Sequence, residues 1–325
     1  MRILVTGAAG FIGGHVSKLL TELDHEVVGF DHFSTYYSPG MKKAHLSSNP
    51  PFPLEEIDIS NRELVFQRFS EISPDCVIHL AAQGGVRAST TNPLPYITAN
   101  QIGFLNVLQA SEKVGVGKFI YASSSSVYGE GLDAPFRENA MLPAPKSLYA
   151  LSKLSNENIA KNLPSSGTER IGLRFFTVYG PWGRPDMAVF RLLASALLGR
   201  EFLLTANLDV KRDFTFVTDV ASTIHSIVKS ASSFENEIFN VAGSNPYSLT
   251  QLFQLLDNHR INPKIIRAKA DLMDVNLTHG STEKLANFNL SIPQTTLEAG
   301  IRLTWEWIQK IDRDDLRDWF DYSAR

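Results

Sequence analysis

Apolar residues along the first half of the chain come in short, unbroken runs: RILVTG (2–7), HEVVGFD (25–31), DCVIHLAA (75–82), KFIYASS (118–124) and RIGLRFF (170–176). A strand with one wet face alternates apolar and polar positions, so unbroken runs predict strands covered on both faces. The segments between them, FIGGHVSKLLTEL (11–23), ELVFQRF (63–69), PYITANQIGFLNVLQASEKV (95–114) and SLYALSKLSNENIAKNL (147–163), repeat their apolar residues at helical spacing. Strand runs alternating with helices predict βαβ units, hence a doubly wound α/β fold on a parallel sheet.

Beyond Gly180 the texture changes to a Pro/Gly loop, GPWGRPD (180–186), a helix-like AVFRLLASALLG (188–199) and less regular segments. RDFTFVTDVASTIHSIV (212–228) and EIFNVAG (237–243) read again as buried strand and helix. Two interleaved domains fit this order: residues 1–176 with about 213–243, and a smaller one from 177–212 and 244–325. APFRENAMLPAPKS (134–147) reads as a surface loop. The charged tail QKIDRDDLRDWFDYSAR (309–325) reads as a solvated terminal helix,.

With 325 residues, 43% of them hydrophobic, the chain can bury a large core,. A formal charge of −3 with interspersed signs gives no nucleic-acid footprint,. One cysteine, Cys76, lies inside an apolar run and predicts a buried thiol in a reducing compartment,. No apolar stretch reaches spanning length, so a cytoplasmic protein with no membrane partner is expected. The histidines are scattered without ligand spacing, and no metal is expected; His79, ending a strand run, reads as a core residue.

VTGAAGFIGGH (5–15) puts Gly7, Gly10 and Gly13 at the first strand-to-helix turn. Glycines there let the backbone approach a pyrophosphate, and the helix N-terminus favours the anion. Asp31 ends the second strand, where a carboxylate accepts hydrogen bonds from ribose hydroxyls and repels a ribose phosphate. A dinucleotide site of Rossmann type follows, with NAD favoured over NADP. Asp58 and Ile59 follow a third strand and could flank the adenine; a helix cap before NRELVF is an equal reading of Asp58.

Tyr149 and Lys153 stand four apart in SLYALSK, on one helix face,. The ordinary tyrosine pKa of about 10 makes a poor base, but an adjacent ammonium and a cationic nicotinamide favour the phenolate. Ser124 closes the preceding strand, at the sheet edge where ligands bind in this architecture.

TGAAGFIGGH, HLAAQGGVRAS, ASSSSVYG, SLYALSK, LRFFTVYGPWGRPDMA and RDFTFV resemble the extended short-chain dehydrogenase/reductases, the nucleotide-sugar epimerase and dehydratase group, and within it the UDP-glucuronate 4-epimerases. The likeness runs from residue 1 to about 245. It implies cofactor contacts from Gly7, Gly10, Phe11, Ile12, Gly13, Asp31, Asp58, Ile59, Leu80, Ala81, Ala82, Asn100, Tyr149 and Lys153. It also implies that Tyr149 takes the proton of the sugar 4-hydroxyl while NAD is reduced, giving a 4-keto sugar, with Ser124 bonded to the reacting oxygen. Such families form homodimers through the helices holding Tyr149 and Asn100.

Dehydratases of the group carry an Asp-Glu pair just before Val-Tyr-Gly, and decarboxylases a Glu. Here Ser125 and Ser126 stand there, small donors to a sugar carboxylate that cannot act as acids. Thr177 occupies the place of a substrate-contacting Asn in galactose-type epimerases. Arg87 and Arg184 are candidates for the carboxylate or phosphates, and Arg191 and Arg212 for the UDP pyrophosphate, since the guanidinium fork suits both anions. DLMDV (271–275) departs from the group's nucleotide-contact stretch and leaves Asp274 as the candidate there. A UDP-glucuronate 4-epimerase is expected. The other readings are a neutral UDP-hexose 4-epimerase, a decarboxylase or dehydratase, and a silent NAD-binding regulator.

Overall fold

A computed structural model describes residues 1–268 and 275–322. Its centre is a seven-stranded parallel sheet of β1 (Arg2–Thr6), β2 (Glu26–Asp31), β3 (Leu54–Glu56), β4 (Cys76–His79), β5 (Lys118–Ser124), β6 (Glu169–Phe175) and, later in the chain, β10 (Asn236–Val241). The order is β10-β6-β5-β4-β1-β2-β3, every neighbouring pair parallel. The unbroken apolar runs lie where predicted: Ile3, Leu4, Val5, Val77, Ile78, Phe119 and Ile120 are fully buried. Strand order reverses between β1 and β4, which opens a crevice at the carboxyl ends of those strands.

Two smaller sheets lie outside this one. β7 (Thr177–Tyr179), β9 (Lys211–Phe216) and β11 (Pro246–Ser248) form one, ordered β11-β9-β7. β8 (Glu201–Leu204) pairs in parallel with β12 (Lys264–Arg267). They share an apolar cluster with the helix Ala188–Leu198 and the C-terminal helices, built on Phe190, Leu193, Phe214, Leu252 and Ile301.

Two segments differ from expectation, the helix over 95–114 and the tail, while 134–147 is a surface loop as expected but pinned at Phe136. The predicted helix 95–114 is broken into Leu94–Ile97, a π turn at Thr98–Gly103 and Phe104–Val114. A π turn adds a residue to the helical cycle and re-aims side chains; here it buries Asn100. The loop 134–147 is anchored: Phe136 is buried, its N–H donates to His279 O (2.7 Å), and its carbonyl accepts from Ser281 N (2.9 Å). The tail helix, Arg313–Tyr322, is not solvated all round, since it buries Leu316, Trp319 and Phe320. Those residues sit at i, i+3 and i+4, a narrow apolar stripe among charges. Cys76 is buried and its thiol is pushed up to about 12 by desolvation, as a core thiol should be. No helix among the described residues is long and apolar enough to cross a membrane.

Candidate active site

The first turn of the crevice is made by β1 running into the helix Phe11–Glu22. Gly7 has φ +72°, and a Cβ there would lie 2.7 Å from Ala81 N; a Cβ on Gly13 would lie 2.0 Å from Gly7 O. Only glycine lets the turn, the helix and the β4 exit at Leu80–Ala82 close up this far. Gly10 is the N-cap and supplies no side-chain acceptor, so the first helical N–H groups face the crevice without an internal cap,. This is an anion cradle of the pyrophosphate kind. Asp31 is buried, its Oδ2 accepting from Ala9 N (3.1 Å) and its Oδ1 from Phe33 N (2.8 Å), with Lys42 Nζ 3.9 Å away. The residues therefore fit the dinucleotide expected from the sequence.

Asp58 does not cap the next helix. Its Oδ1 accepts from Ser60 N (2.8 Å) in a local turn, and the cap is Asn61, which accepts from Leu64 N (3.1 Å). Ile59 is buried against Gly103. Asn100 joins two walls: its Oδ1 accepts from Gln83 N (2.7 Å), and its Nδ2 donates to Gln83 O and Ser152 Oγ (both 3.0 Å).

The helix Leu148–Asn162 starts at Ser147, whose Oγ accepts from Ala150 N (3.1 Å). It brings Tyr149 and Lys153 together, Lys153 Nζ lying 6.0 Å from the Tyr149 ring centroid and donating to Ala122 O (2.9 Å). Burial lowers Lys153 to about 8. Burial raises Tyr149 above the ordinary phenol range, opposed by a hydrogen bond with Ser124 and by the Arg184 charge. Burial thus acts most on Tyr149, and the groups that oppose it, favouring the phenolate, are Ser124 and Arg184.

The four serines are a structured turn and not a linker. Ser123 Oγ donates to Glu157 Oε1 (2.5 Å), Ser124 Oγ lies 2.7 Å from Ser126 Oγ, and Ser125–Tyr128 form a 3-10 turn capped by Ser124. Ser125 is half-buried at its start. Below them runs a network that the sequence reading missed. Arg174 makes a two-pronged pair with Glu157 (2.9 and 2.8 Å) and donates to Tyr128 Oη (2.9 Å), which in turn donates to Asn240 Oδ1 (2.7 Å). The one available signal was Glu157 itself, eight residues after Tyr149 and hence on the same helix face.

Arg184 is brought to the Tyr149 end of the crevice; its Nε and Nη2 donate to Asp186 Oδ1 (2.9 Å) and Oδ2 (2.7 Å). Tyr96, also unpredicted, sets its ring edge-on to Tyr149 at 6.3 Å and donates to Gly84 O and Gly85 O. Thr177 and Gly180 line a cleft with Met187 and Phe214. The other candidate arginines have partners elsewhere in the protein. Arg87 Nη2 donates to Thr205 Oγ1 (3.1 Å), Arg212 Nη1 to Lys211 O (3.0 Å), and Arg191 lies 4.4 Å over the Phe320 ring of the tail helix. Asp274 lies outside the described residues. His79 is a core residue as expected, its Nδ1 2.8 Å from Thr6 Oγ1 and its pKa lowered by burial to about 3. Among the described residues no three His, Cys, Asp or Glu side chains group as a metal site.

Residues 3–242 match the NAD dependent epimerase/dehydratase family. Protein CapI of Staphylococcus aureus is 34% identical, with 94% of this chain and 98% of that protein covered. UDP-glucuronate 4-epimerase 4 of Arabidopsis thaliana is 36% identical over 94% of this chain and 74% of its own. The crystal structure of UDP-glucuronic acid 4-epimerase from Bacillus cereus, in complex with UDP-glucuronic acid and NAD, is similar at a TM-score of 0.87 and 31% identity, covering 95% of this chain and 99% of that one. A glycine cradle with Asp31 behind it, a Ser124–Tyr149–Lys153 cluster at the strand ends and these likenesses agree: the chain belongs to the NAD dependent epimerase/dehydratase family.

Proposed function

We propose that the protein is an NAD-dependent UDP-glucuronate 4-epimerase, interconverting UDP-glucuronate and UDP-galacturonate. The observation that carries this reading is the serine turn beside Tyr149: Ser125 and Ser126 stand where acid–base chemistry would otherwise divert a 4-keto sugar. The Arabidopsis relative and the Bacillus cereus structure, both UDP-glucuronate 4-epimerases by name, support it. Gly7, Gly10, Phe11, Ile12 and Gly13 would hold the pyrophosphate of NAD, with Asp31 on the adenosine ribose and Leu80–Ala82 and Asn100 along the nicotinamide side. Bound there, NAD supplies reversible oxidation at C4 of the sugar.

Tyr149 removes and returns the proton of the 4-hydroxyl, and Ser124 holds that oxygen beside it. Lys153 orients the pair from a buried site. Arg184 with Ser125 and Ser126 meets the sugar carboxylate, and Arg87, Arg191, Arg212 and Asp274 serve the nucleotide end. A 4-keto uronic acid is a β-keto acid and loses carbon dioxide when its carboxyl C–C bond aligns with the ketone. Fixing the carboxylate out of alignment, with no acid at Ser125 or Ser126, suppresses that loss.

Residues 1–176 with about 213–243 form the cofactor-binding part in this reading, and 177–212 with 244–325 the nucleotide-sugar part. A homodimer through the helices holding Tyr149 and Asn100 is supported by exposed Leu94, Ile97, Ile102 and Leu151 on that face,. A single buried cysteine suits a cytoplasmic, reducing location,. Turnover of UDP-glucuronate beside UDP-glucose tests the substrate: preference for the acid sugar is expected, and preference for the neutral one would move the assignment to a hexose epimerase.

A further inference from the structure

Residues 32–38, directly after Asp31, are fastened at both ends of the crevice. On the Asp31 side, Phe33 N donates to Asp31 Oδ1 (2.8 Å), and Lys42 Nζ, beside Asp31, donates to Ser34 O (3.0 Å). From behind, the tail helix holds the same segment: Tyr322 Oη donates to Thr35 O (3.0 Å) and Ser38 Oγ to Asp318 Oδ2 (3.2 Å). On the opposite side Tyr36 reaches across 150 residues of sequence to donate its hydroxyl to Asp186 Oδ2 (3.0 Å). Asp186 is the carboxylate that holds Arg184 in a two-pronged pair.

The fit around this link is tight. A Cβ on Gly84 would lie 2.3 Å from Arg184 Nη1, and one on Gly85 would lie 2.2 Å from Tyr36 Oη. The guanidinium of Arg184 and the hydroxyl end of Tyr36 therefore press against the Gly84–Gly85 backbone, whose carbonyls are held by Tyr96. Arg184 is also stacked toward the Tyr36 ring, 5.5 Å from its centroid. Burial works to raise the Asp186 carboxyl, but the Arg184 charge, with hydrogen bonds from Arg184 and Tyr36, leaves it below the usual range, so it stays an anion with two partners.

We infer that Tyr36 is a positioning residue that couples the two ligands: by sharing Asp186 with Arg184, it ties the orientation of the guanidinium on the sugar side to the loop that Asp31 orders on the cofactor side. Filling the Asp31 end sets the loop, the loop sets Tyr36, and Tyr36 fixes the carboxylate against which Arg184 is aligned. NAD then binds more tightly when an acidic UDP-sugar is present, and by linkage the sugar binds more tightly when NAD is present. The inference rests on the functional reading above for the identity of the sugar.

Calorimetric titration of NAD into the full-length protein, with and without saturating UDP-glucuronate, tests it on the wild type and Tyr36→Phe. A hydrogen bond to a charged group has the strength to give about a 10-fold gain in NAD affinity in the wild type, and Tyr36→Phe is expected to lose most of that gain while binding each ligand alone. Gly84→Ala, which pushes Arg184 off its backing without touching Tyr36, is expected to lose it too and serves if Tyr36→Phe folds poorly. A wild type without coupling, or coupling kept in both variants, overturns the inference. A wild type that binds NAD but no UDP-glucuronate overturns the functional reading instead, whereas one that binds both without coupling overturns this inference alone.

Discussion

Lys153 is the costliest residue of the cluster to bury. Its pKa falls from 10.5 to about 8, so between those values the unfolded chain holds a proton that the folded one does not, and stability rises with pH across the window. The wild type should gain about 3 kcal/mol relative to Lys153→Met between pH 8 and 10.5; denaturant melts of both proteins across that range check it. Parallel curves would mean that burial leaves the Lys153 pKa unshifted, so that it stays charged through the window. Ser125 carries the selectivity argument. Ser125→Glu places an acid beside the 4-keto sugar and should release carbon dioxide from UDP-glucuronate, measurable with labelled carboxyl carbon. Tyr149 and Lys153 at i and i+4 and the glycines at every third position were legible through their place after strands of the predicted sheet, since either spacing alone is common,. Tyr36 and Asp186 were not, because a contact between residues 150 apart leaves no local pattern.

At the scale of elements, the helix Leu148–Asn162 and strands β5, β6 and β10 are locked by one buried polar network. Glu157 and Arg174 are nearly inaccessible, so removing one partner strands the other charge. Glu157→Ala should destabilise the fold by about 3–5 kcal/mol, whereas the double change Glu157→Met with Arg174→Met should cost much less, since no buried charge is left unpaired. Chemical denaturation of the two variants separates these outcomes, and equal losses would mean that packing, not charge, sets the cost. The network keeps Ser123, and so Ser124, in register with Tyr149. Strands buried on both faces were readable as unbroken apolar runs, and the parallel sheet followed. The π turn at Thr98–Gly103 was hidden, because an inserted residue barely disturbs the apolar spacing of the surrounding helices. In the tail, the charge of residues 309–325 outweighed a stripe of three apolar residues that was already visible.

Over the whole molecule, the crevice lies where strand order reverses, with the glycine turn at one end and the serine turn and Arg184 at the other. The exposed face bearing Leu94, Ile97, Ile102 and Leu151 belongs to the same helices that carry Asn100 and Tyr149. Pairing through it should give a dimer by light scattering, and Leu151→Arg should shift the protein toward monomer by burying an unpaired charge at the contact. A monomeric wild type would remove the dimer from this account. The glycine turn and the serine turn were readable in the sequence, but the approach of Arg184 to Tyr149 was not, since it joins residues far apart in the chain.

The most direct measurement is proton NMR of UDP-glucuronate incubated with the protein and NAD, following the anomeric signals while carbon dioxide is collected, with Tyr149→Phe alongside. UDP-galacturonate should appear without gas, and the variant should turn over about 10²–10⁴-fold more slowly. Unchanged UDP-glucuronate, or carbon dioxide in place of the epimer, would contradict the account.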